Sequence, residues 1–261
     1  MPEFKEATIG RFCWVELQAK DTAAAKKFYG ELFGWAFEEM PMPVGTYTLA
    51  KIGSNQVAGL MTMPEESAKM GVPPNWGCYI AVADVKAGCD AAAKLGGKII
   101  LGPTPMGPGT FAVIQDPTGG IFMLWHTPQS MGTFLYGEPG ALTWNELLST
   151  NADVAQRFYT QLFGWKAEAQ DMGQGMYTVF KQGGEFVGGG LMAQPPHMKG
   201  APSAWFTYFA VADADATLAK ATRLGAKILM PATDIPNVGR FGWLQDPQGT
   251  VFAILKNSMP G

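Results

Sequence analysis

The chain has 261 residues, of which 47% are hydrophobic and 16% charged, and its formal net charge is −3. This composition is typical of a globular protein and excludes a disordered one. The sequence has no basic stripe that would bind nucleic acid and no apolar run near the roughly 20 residues of a membrane span, and its polar start predicts no signal peptide. The cysteines Cys13, Cys78 and Cys89 all lie in the first half, which favours free thiols and a cytoplasmic location.

A segment near the start of the chain returns further on. Residues 14–35 and 144–165 align without a gap at an offset of 144 − 14 = 130, and ten of the 22 aligned positions are identical. Self-similarity of this length predicts one structural unit that is built twice. A chain of this size is long enough for two domains of roughly 130 residues each.

Each copy begins with a predicted strand and a helix. Residues 14–18 are short and apolar-rich, as expected for a strand. Asp21 or Thr22 can cap the next helix, because a side-chain oxygen there accepts a free backbone N–H. Apolar residues then recur at steps of three and four, which makes one helix face, and Gly34 suits the helix end. The apolar face consists of Ala25, Phe28, Tyr29, Leu32 and Phe33.

The sequence predicts that the first half consists of two modules. Strands are predicted at 47–52 and 56–61, followed by a proline-containing surface loop at 62–75. A second module then follows, with strands at 76–82, 98–101, 111–115 and 121–125 and a helix at 86–95. The second half repeats this plan. We therefore expect a first domain at residues 1–127, a linker at 128–141 and a second domain at 142–261.

Three motifs occur in both halves: FYxxLFGW at 28–35 and 158–165, AVAD at 81–84 and 210–213, and DPxG at 116–119 and 246–249. With these motifs the chain resembles the vicinal oxygen chelate superfamily, which includes glyoxalase I, extradiol dioxygenases and bleomycin-resistance proteins. The resemblance implies an α+β fold of two tandem domains. Each domain would be a pair of βαβββ modules forming a curled, barrel-like sheet around a cavity. Because this fold carries several chemistries, the resemblance does not fix an activity.

Enzymes of the family hold a divalent metal in that cavity with His, Gln or Glu from the first and last strands of each module. The resemblance maps these positions onto Trp14 and Trp144, Cys78 and Thr207, Met123 and Ala253, and a place near Gly59 and Gly190. These are not metal ligands of that kind. The chain has only two histidines, His126 and His197, and neither has a matching donor in the other copy. We expect surface histidines, no metal site and no cofactor.

Glu16 and Glu146 are the best remaining candidates for chemistry. Side chains alternate along a strand, so each glutamate shares a face with the tryptophan two residues before it, Trp14 or Trp144. A carboxyl group beside an indole in a cavity has a raised pKa and can act as acid or base, or it can anchor a polar group of a ligand. The other interpretation is a carboxylate at the cavity mouth, tied to backbone N–H groups or to an arginine.

Further residues are candidates for an apolar, stacking wall of the cavities if they face inward, and the other interpretation of the aromatic ones is that they belong to the core. Cys78 is a possible nucleophile, but no histidine is placed to activate it, and a small buried residue is the simpler interpretation. Arg240 could bind an anion, pair with Glu146, or lie exposed in solvent. Tyr79 and Tyr208 belong to the wall if they face inward. The predicted ligand-binding residues are Trp14, Trp76, Cys78, Met123, Trp125, Trp144, Trp205, Thr207, Phe209 and Arg240.

These features favour a protein that binds a small, partly apolar molecule in its cavities without the metal of the family. The alternative is a metal-independent lyase or isomerase of the glyoxalase type that uses Glu16 or Glu146 as base. A scaffold protein with cavities that bind nothing is a third class. The expected partner is a small-molecule ligand rather than nucleic acid or a membrane, and the chain is expected to be a monomer or a homodimer.

Overall fold

The computed structural model describes residues 3–4, 7–42, 45–128, 134–171, 176–195, 198 and 200–258. Five helices lie in these ranges: α1 Thr22–Phe33, α2 Glu65–Lys69, α3 Val85–Lys94, α4 Ala152–Phe163 and α5 Ala214–Arg223. Within the same ranges, every helix is too short or too polar to span a membrane. The short α2 lies inside the segment predicted as a surface loop.

Two sheets contain the strands, one in each half of the chain. The first consists of β1 Glu3–Phe4, β2 Phe12–Ala19, β3 Ala36–Pro41, β4 Thr46–Ile52, β5 Asn55–Thr62, β6 Asn75–Ala81, β7 Lys98–Met106, β8 Gly109–Gln115, β9 Ile121–His126 and β10 Phe134–Leu135. The second consists of β11 Leu142–Ser149, β12 Lys166–Asp171, β13 Met176–Gln182, β14 Glu185–Ala193, β15 Ala204–Ala210, β16 Lys227–Ile235, β17 Gly239–Gln245 and β18 Val251–Asn257.

The strand order is the same in both sheets. The first runs β3-β4-β5-β2-β6-β9-β8-β7 and the second β12-β13-β14-β11-β15-β18-β17-β16. In each, the first strands of the two modules pair antiparallel, β2 with β6 and β11 with β15. The modules therefore pair within each half, and the sheets are curled but not closed. The predicted fold class is confirmed. The short β10, from the stretch between the halves, adds to the edge of β5 at Gln56.

The ends of α1 and α4 follow from their sequences. Asp21 caps α1 by accepting hydrogen bonds from two backbone amides, and Asn151 caps α4 in the same way with one. Gly34 and Gly164 end these helices in the left-handed conformation, at φ 75° and 69°, which glycine adopts without strain. These helix ends set the point at which the chain leaves the helix, directly before Trp35 and Trp165.

The largest buried cluster joins the two halves. Val15 and Leu17 of β2 point into it, as do Leu147 of β11 and Phe252 of β18. The aromatic residues of α1 pack against the second sheet, with Phe33 at 5.2 Å from Phe209 between ring centroids. Because this shared core takes one face of each sheet, the opposite, inner faces of the curled sheets are left to form separate clusters.

We call these inner-face clusters the first cup and the second cup. The first cup is built on the buried residues Cys13, Trp14, Tyr47, Leu49, Tyr79, Ala81, Met123 and Trp125. The second cup is built on Leu148, Tyr208, Trp243, Ala253 and Leu255, with Trp144, Phe206, Phe241 and Met192 packed against them. The alternation of side chains along β2 and β11 therefore supplies one face to the shared core and the other to a cup.

Candidate functional site

One glutamate lies inside the first cup. Glu16 is only 2% exposed and stands on β2 between Gly59 of β5 and Gly77 of β6. Trp14, two residues earlier, lies opposite Tyr79 on the same face of the sheet. The structure thus brings the carboxyl group and the two aromatic rings together in an apolar surrounding.

The hydroxyl groups of two tyrosines hold the Glu16 carboxyl group. Tyr47 and Tyr79 both donate hydrogen bonds to it, and Trp14 Nε1 donates to the Tyr47 hydroxyl at 3.0 Å. The second carboxyl oxygen, Oε2, is buried and has no hydrogen-bond partner. Burial raises the pKa of Glu16 to about 7, although the tyrosine hydrogen bonds oppose the rise. Near neutral pH this carboxyl group can therefore hold or release a proton.

The second cup repeats this arrangement. Glu146 is 7% exposed, and the Tyr208 hydroxyl donates to its Oε2 at 2.7 Å. Tyr177 is the second donor to the carboxyl group and itself accepts a hydrogen bond of 2.6 Å from Trp144 Nε1. Burial raises the pKa of Glu146 to about 7, again against the effect of the tyrosines. The same carboxyl–tyrosine–tryptophan network thus occurs twice in the chain.

Two glycines make room for this network. A Cβ atom at Gly59 would overlap the Tyr47 hydroxyl, and one at Gly190 would overlap the Tyr177 hydroxyl. These are the positions that the family resemblance assigns to a metal ligand. Here a tyrosine from the neighbouring strand passes over the glycine and reaches the glutamate instead.

The cups differ in how they are filled. In the first, Val113 lies opposite Met123, and in the second the corresponding pair is Trp243 opposite Ala253. The second cup therefore places the large side chain on the other strand. Its Trp243 Nε1 donates to the Tyr208 hydroxyl at 3.1 Å, an additional hydrogen bond that Val113 cannot make.

Five of the predicted wall residues lie on the opposite face of their strands. Trp76 and Trp205 donate from Nε1 to the hydroxyls of the helix tyrosines Tyr29 and Tyr159, inside the shared core. Thr207 lies near Asn145, with 3.3 Å between its Oγ1 and the amide oxygen. The expectation that these side chains face the cups is therefore wrong for five residues, which are Trp76, Cys78, Trp205, Thr207 and Phe209.

A one-residue slip explains the correction for Cys78 and Thr207. The count of seven residues before the helix-capping acid, which gives Trp14 from Asp21, gives Gly77 from Asp84 rather than Cys78. The register agrees, because Gly77 pairs with Glu16. Since side chains alternate, a shift of one residue moves a side chain to the other face. Cys78 is a buried thiol whose pKa is raised by burial, which does not suit a nucleophile.

The other predicted residues divide between the cups and the surface. Trp14, Met123 and Trp125 lie in the first cup, and Trp144 packs in the second. Arg240 does not lie beside Glu146. It forms a two-point ion pair with Asp215, at 2.7 and 2.9 Å, and contacts Asp234 at 3.0 Å. Its predicted roles in anion binding or in pairing with Glu146 are corrected, since these aspartates already satisfy the guanidinium group.

His126 does not add a donor to the first cup. His126 is half-buried, and its Nδ1 lies 3.1 Å from the carbonyl oxygen of Val82. His197 lies outside the described residues. A first-row divalent ion needs three or four nitrogen, oxygen or sulfur donors at about 2 Å. Each cup offers one carboxyl group whose neighbours are tyrosine hydroxyls, and no group of three His, Cys, Asp or Glu side chains occurs in the part of the chain that the structure describes. The donor set of the cups therefore does not fit the metal of the family.

Three residues of the networks were not among the predicted site residues: Tyr47, Tyr177 and Trp243. The two tyrosines could have been found, because they recur at the offset of 177 − 47 = 130. Trp243 has no such signal, since the first copy has Val113 at that place. Its role depends on the pairing of β17 with β18.

Comparisons with known proteins agree with this architecture. The sequence model of the Glyoxalase/Bleomycin resistance protein/Dioxygenase superfamily matches residues 11–124 and 142–254. CFP32 of Mycobacterium tuberculosis (strain CDC 1551 / Oshkosh), provisionally named a glyoxylase, is 42% identical over 98% of both chains. The anthracycline biosynthesis protein DnrV of Streptomyces peucetius is 30% identical over 95% of this chain and 93% of its own. A Mn(II)-bound glyoxalase from Novosphingobium aromaticivorans shares the fold with a TM-score of 0.63 at 16% identity, covering 96% of this chain and 83% of that one.

Proposed function

Because the chain belongs to the glyoxalase/bleomycin resistance protein/dioxygenase superfamily, we propose that it binds a small, partly apolar molecule on the inner face of a curled sheet. Glu16 and Glu146 are the polar contacts for this ligand. The proposal rests on one observation above all, the protonatable carboxyl group held by two tyrosines in an otherwise apolar cup. The arrangement occurs in both halves.

The chemistry of the cups supports binding through shape and one or two hydrogen bonds. An isolated buried carboxylate is costly unless it is paired, so a ligand that shares its proton or donates to it gains affinity. The aromatic rings around it offer large contact areas with little loss of side-chain entropy on binding. Such a site selects a molecule that is mainly apolar and has a hydroxyl, amine or carbonyl group at one edge.

An enzyme that uses the same glutamate as base is the second candidate, and the raised pKa favours it. A base with a pKa near the working pH removes a proton efficiently from a carbon beside a carbonyl group. The carboxylate would take this proton while the electron pair moves to the carbonyl oxygen, to which a tyrosine hydroxyl can donate. Returning the proton to another carbon would complete an isomerisation.

The named relatives are consistent with both candidates. One carries the provisional name of a glyoxylase, and the other is named for anthracycline biosynthesis. We propose that either function operates without the metal of the family, because the cups lack its donors. We also propose a cytoplasmic protein, in keeping with its free cysteines, that acts as a monomer or homodimer.

Native mass spectrometry of the freshly purified protein tests the proposal. A retained small molecule, lost or reduced in the double variant Glu16→Gln/Glu146→Gln, is the expected result. The loss of a charge-assisted hydrogen bond predicts binding weaker by about ten- to a hundredfold. Turnover of the retained molecule that the glutamine variant abolishes would establish the enzyme. A protein that retains nothing and binds nothing would instead be a scaffold, and the proposal would fail.

A further inference from the structure

The two cups are not equally open. Trp14 of the first cup is 6% exposed, whereas Trp144 at the same place in the second cup is only half-buried. The tyrosines beside them differ in the same way, since Tyr47 is buried and Tyr177 half-buried. Access from solvent to the glutamate network is therefore greater in the second half.

Segments from outside the two modules cover the first cup. Ala7, before β2, and Phe134 of β10 both pack against its buried residues. Phe134 also pairs with Gln56 at the edge of β5, so this covering is anchored to the sheet. Within the described residues, the second sheet has eight strands and no equivalent of β10 on β14.

An aromatic residue stands where Gln56 would be in the second cup. Phe186, at 186 − 130 = 56, is 51% exposed on β14. Its ring lies 6.1 Å from that of Trp144, between centroids, and Lys181 Nζ lies 5.0 Å from the Phe186 centroid. An exposed phenylalanine beside a half-buried tryptophan at the rim of a half-open cup offers a stacking surface to a ligand.

The two cups also carry aromatic rings at different places. The Phe206 and Trp243 centroids are 4.6 Å apart, and the first cup has Gly77 and Val113 at these places. In the first cup the space over Gly77 is taken by Met123, whose Cε a Cβ atom there would overlap. The second cup therefore has aromatic side chains at three places, Phe186, Phe206 and Trp243, where the first cup has none, and the first cup has Trp125 where the second has Leu255.

We propose that the second cup is the ligand site and that it takes a planar aromatic molecule with a hydroxyl group at its edge. The rings of Trp144, Phe206 and Trp243 stack on the ligand, and its hydroxyl group binds the Glu146 carboxyl group. Of the two glutamates in the proposed function, Glu146 is then the one that contacts the ligand, because the first cup around Glu16 is filled by Met123 and covered by Phe134. This inference rests on the proposed function and names the site and the class of ligand.

Isothermal titration calorimetry of the full-length protein with 2-naphthol tests the inference. Cyclohexanol is the non-aromatic comparison. We expect 2-naphthol to bind at one site per chain and cyclohexanol at least tenfold more weakly. Glu146→Gln should weaken binding about tenfold or more, and Phe206→Gly, which installs the residue of the first cup, should do so as well. Glu31→Gln, on the exposed side of α1, is the matched control and should leave binding unchanged.

The exchange Trp243→Val/Ala253→Met gives a second, volume-matched variant. It installs the packing pair of the first cup and should abolish 2-naphthol binding while thermal unfolding stays cooperative. Binding that is lost in Glu16→Gln but kept in Glu146→Gln would overturn the inference and leave the proposed function standing. Failure of 2-naphthol to bind up to about 1 mM would overturn the aromatic class. The proposed function would then be judged by the native mass spectra alone.

Discussion

The Tyr29 hydroxyl of the first half donates a hydrogen bond of 3.0 Å to the Asp246 carboxylate of the second half. Tyr29 belongs to the FYxxLFGW motif and Asp246 to DPxG, so two motifs that are 217 residues apart in the chain meet in the shared core. The reverse pair also exists, because Tyr159 donates to Asp116 at 2.8 Å. The most prominent motifs of the sequence thus join the two halves.

Tyr29→Phe should destabilise the protein by about 2 kcal/mol, as expected when a buried acceptor loses its donor. Trp76 Nε1, which donates to the Tyr29 hydroxyl, also loses its partner. Urea unfolding at neutral pH measures the change. Tyr159→Phe is the matched variant and should cost a similar amount, since its contacts are equivalent. A loss below about 0.5 kcal/mol in both variants would show that the contacts are incidental.

A chain that ends at residue 127 should not be a stable monomer. Trp35 and Trp76 pack against Phe209, at 5.5 and 5.0 Å between centroids, and would face water without the second half. Exposure of such large apolar surfaces favours association of two copies. Sedimentation together with circular dichroism measures this. A folded monomer over the whole concentration range would contradict the shared core.

The stability of the protein should fall as pH rises from about 4.5 to 7. Glu16 and Glu146 have a raised folded-state pKa of about 7, against 4.5 in the unfolded chain. The native state therefore binds more protons in this window, and each carboxyl group loses about 3 kcal/mol of stabilisation across it. Urea unfolding from pH 4.5 to 8 measures the slope. Glu16→Gln or Glu146→Gln should each remove about half of it, and an unchanged slope in the double variant would refute the assignment.

Removal of metal should change neither stability nor ligand binding. The positions of the family ligands hold Trp14, Gly77 and Met123 in the first cup, and the residues around Glu16 are tyrosines. Thermal unfolding with and without EDTA, together with elemental analysis of the dialysed protein, provides the measurement. About one zinc, nickel, iron or manganese ion per domain, lost with a drop in the melting temperature, would contradict this prediction.

Much of the fold follows from the repeat, but β3 and β12 do not. Five of the six side chains of β3 are exposed, so the strand has no apolar alternation for the sequence to reveal. The pairing of β3 with β4 is recognised only when the sheet is assembled. The same limit applies to β10, whose two residues lie in the stretch that we expected to be a linker.

The part of the candidate site that depends on the alternation of side chains along one strand could be predicted from the sequence. This alternation puts Glu16 and Trp14 on one face of β2, and the structure places both in the first cup. The position of Cys78 depended on a count along the chain, where an error of one residue inverts the face. Phe206 and Trp243 could not be found by comparing the two copies, because the copies differ there. Their proximity comes from strands β15 and β17, which are not neighbours in the sheet.

In the first cup a small residue, Val113, lies opposite a large one, Met123, and in the second cup the large residue, Trp243, lies opposite the small Ala253. This reversal of the packing pair restricts which substitutions the two copies can accept. Reducing Met123 to alanine alone would leave a hole that costs about 2–5 kcal/mol, and enlarging Val113 alone would force overpacking. Either change alone is therefore costly, and the two together should cost less than the sum of both, which makes the pair epistatic. Two halves that began alike would acquire different cups at the lowest cost in stability through paired substitutions, and a survey of variants at one position would misjudge what the site tolerates.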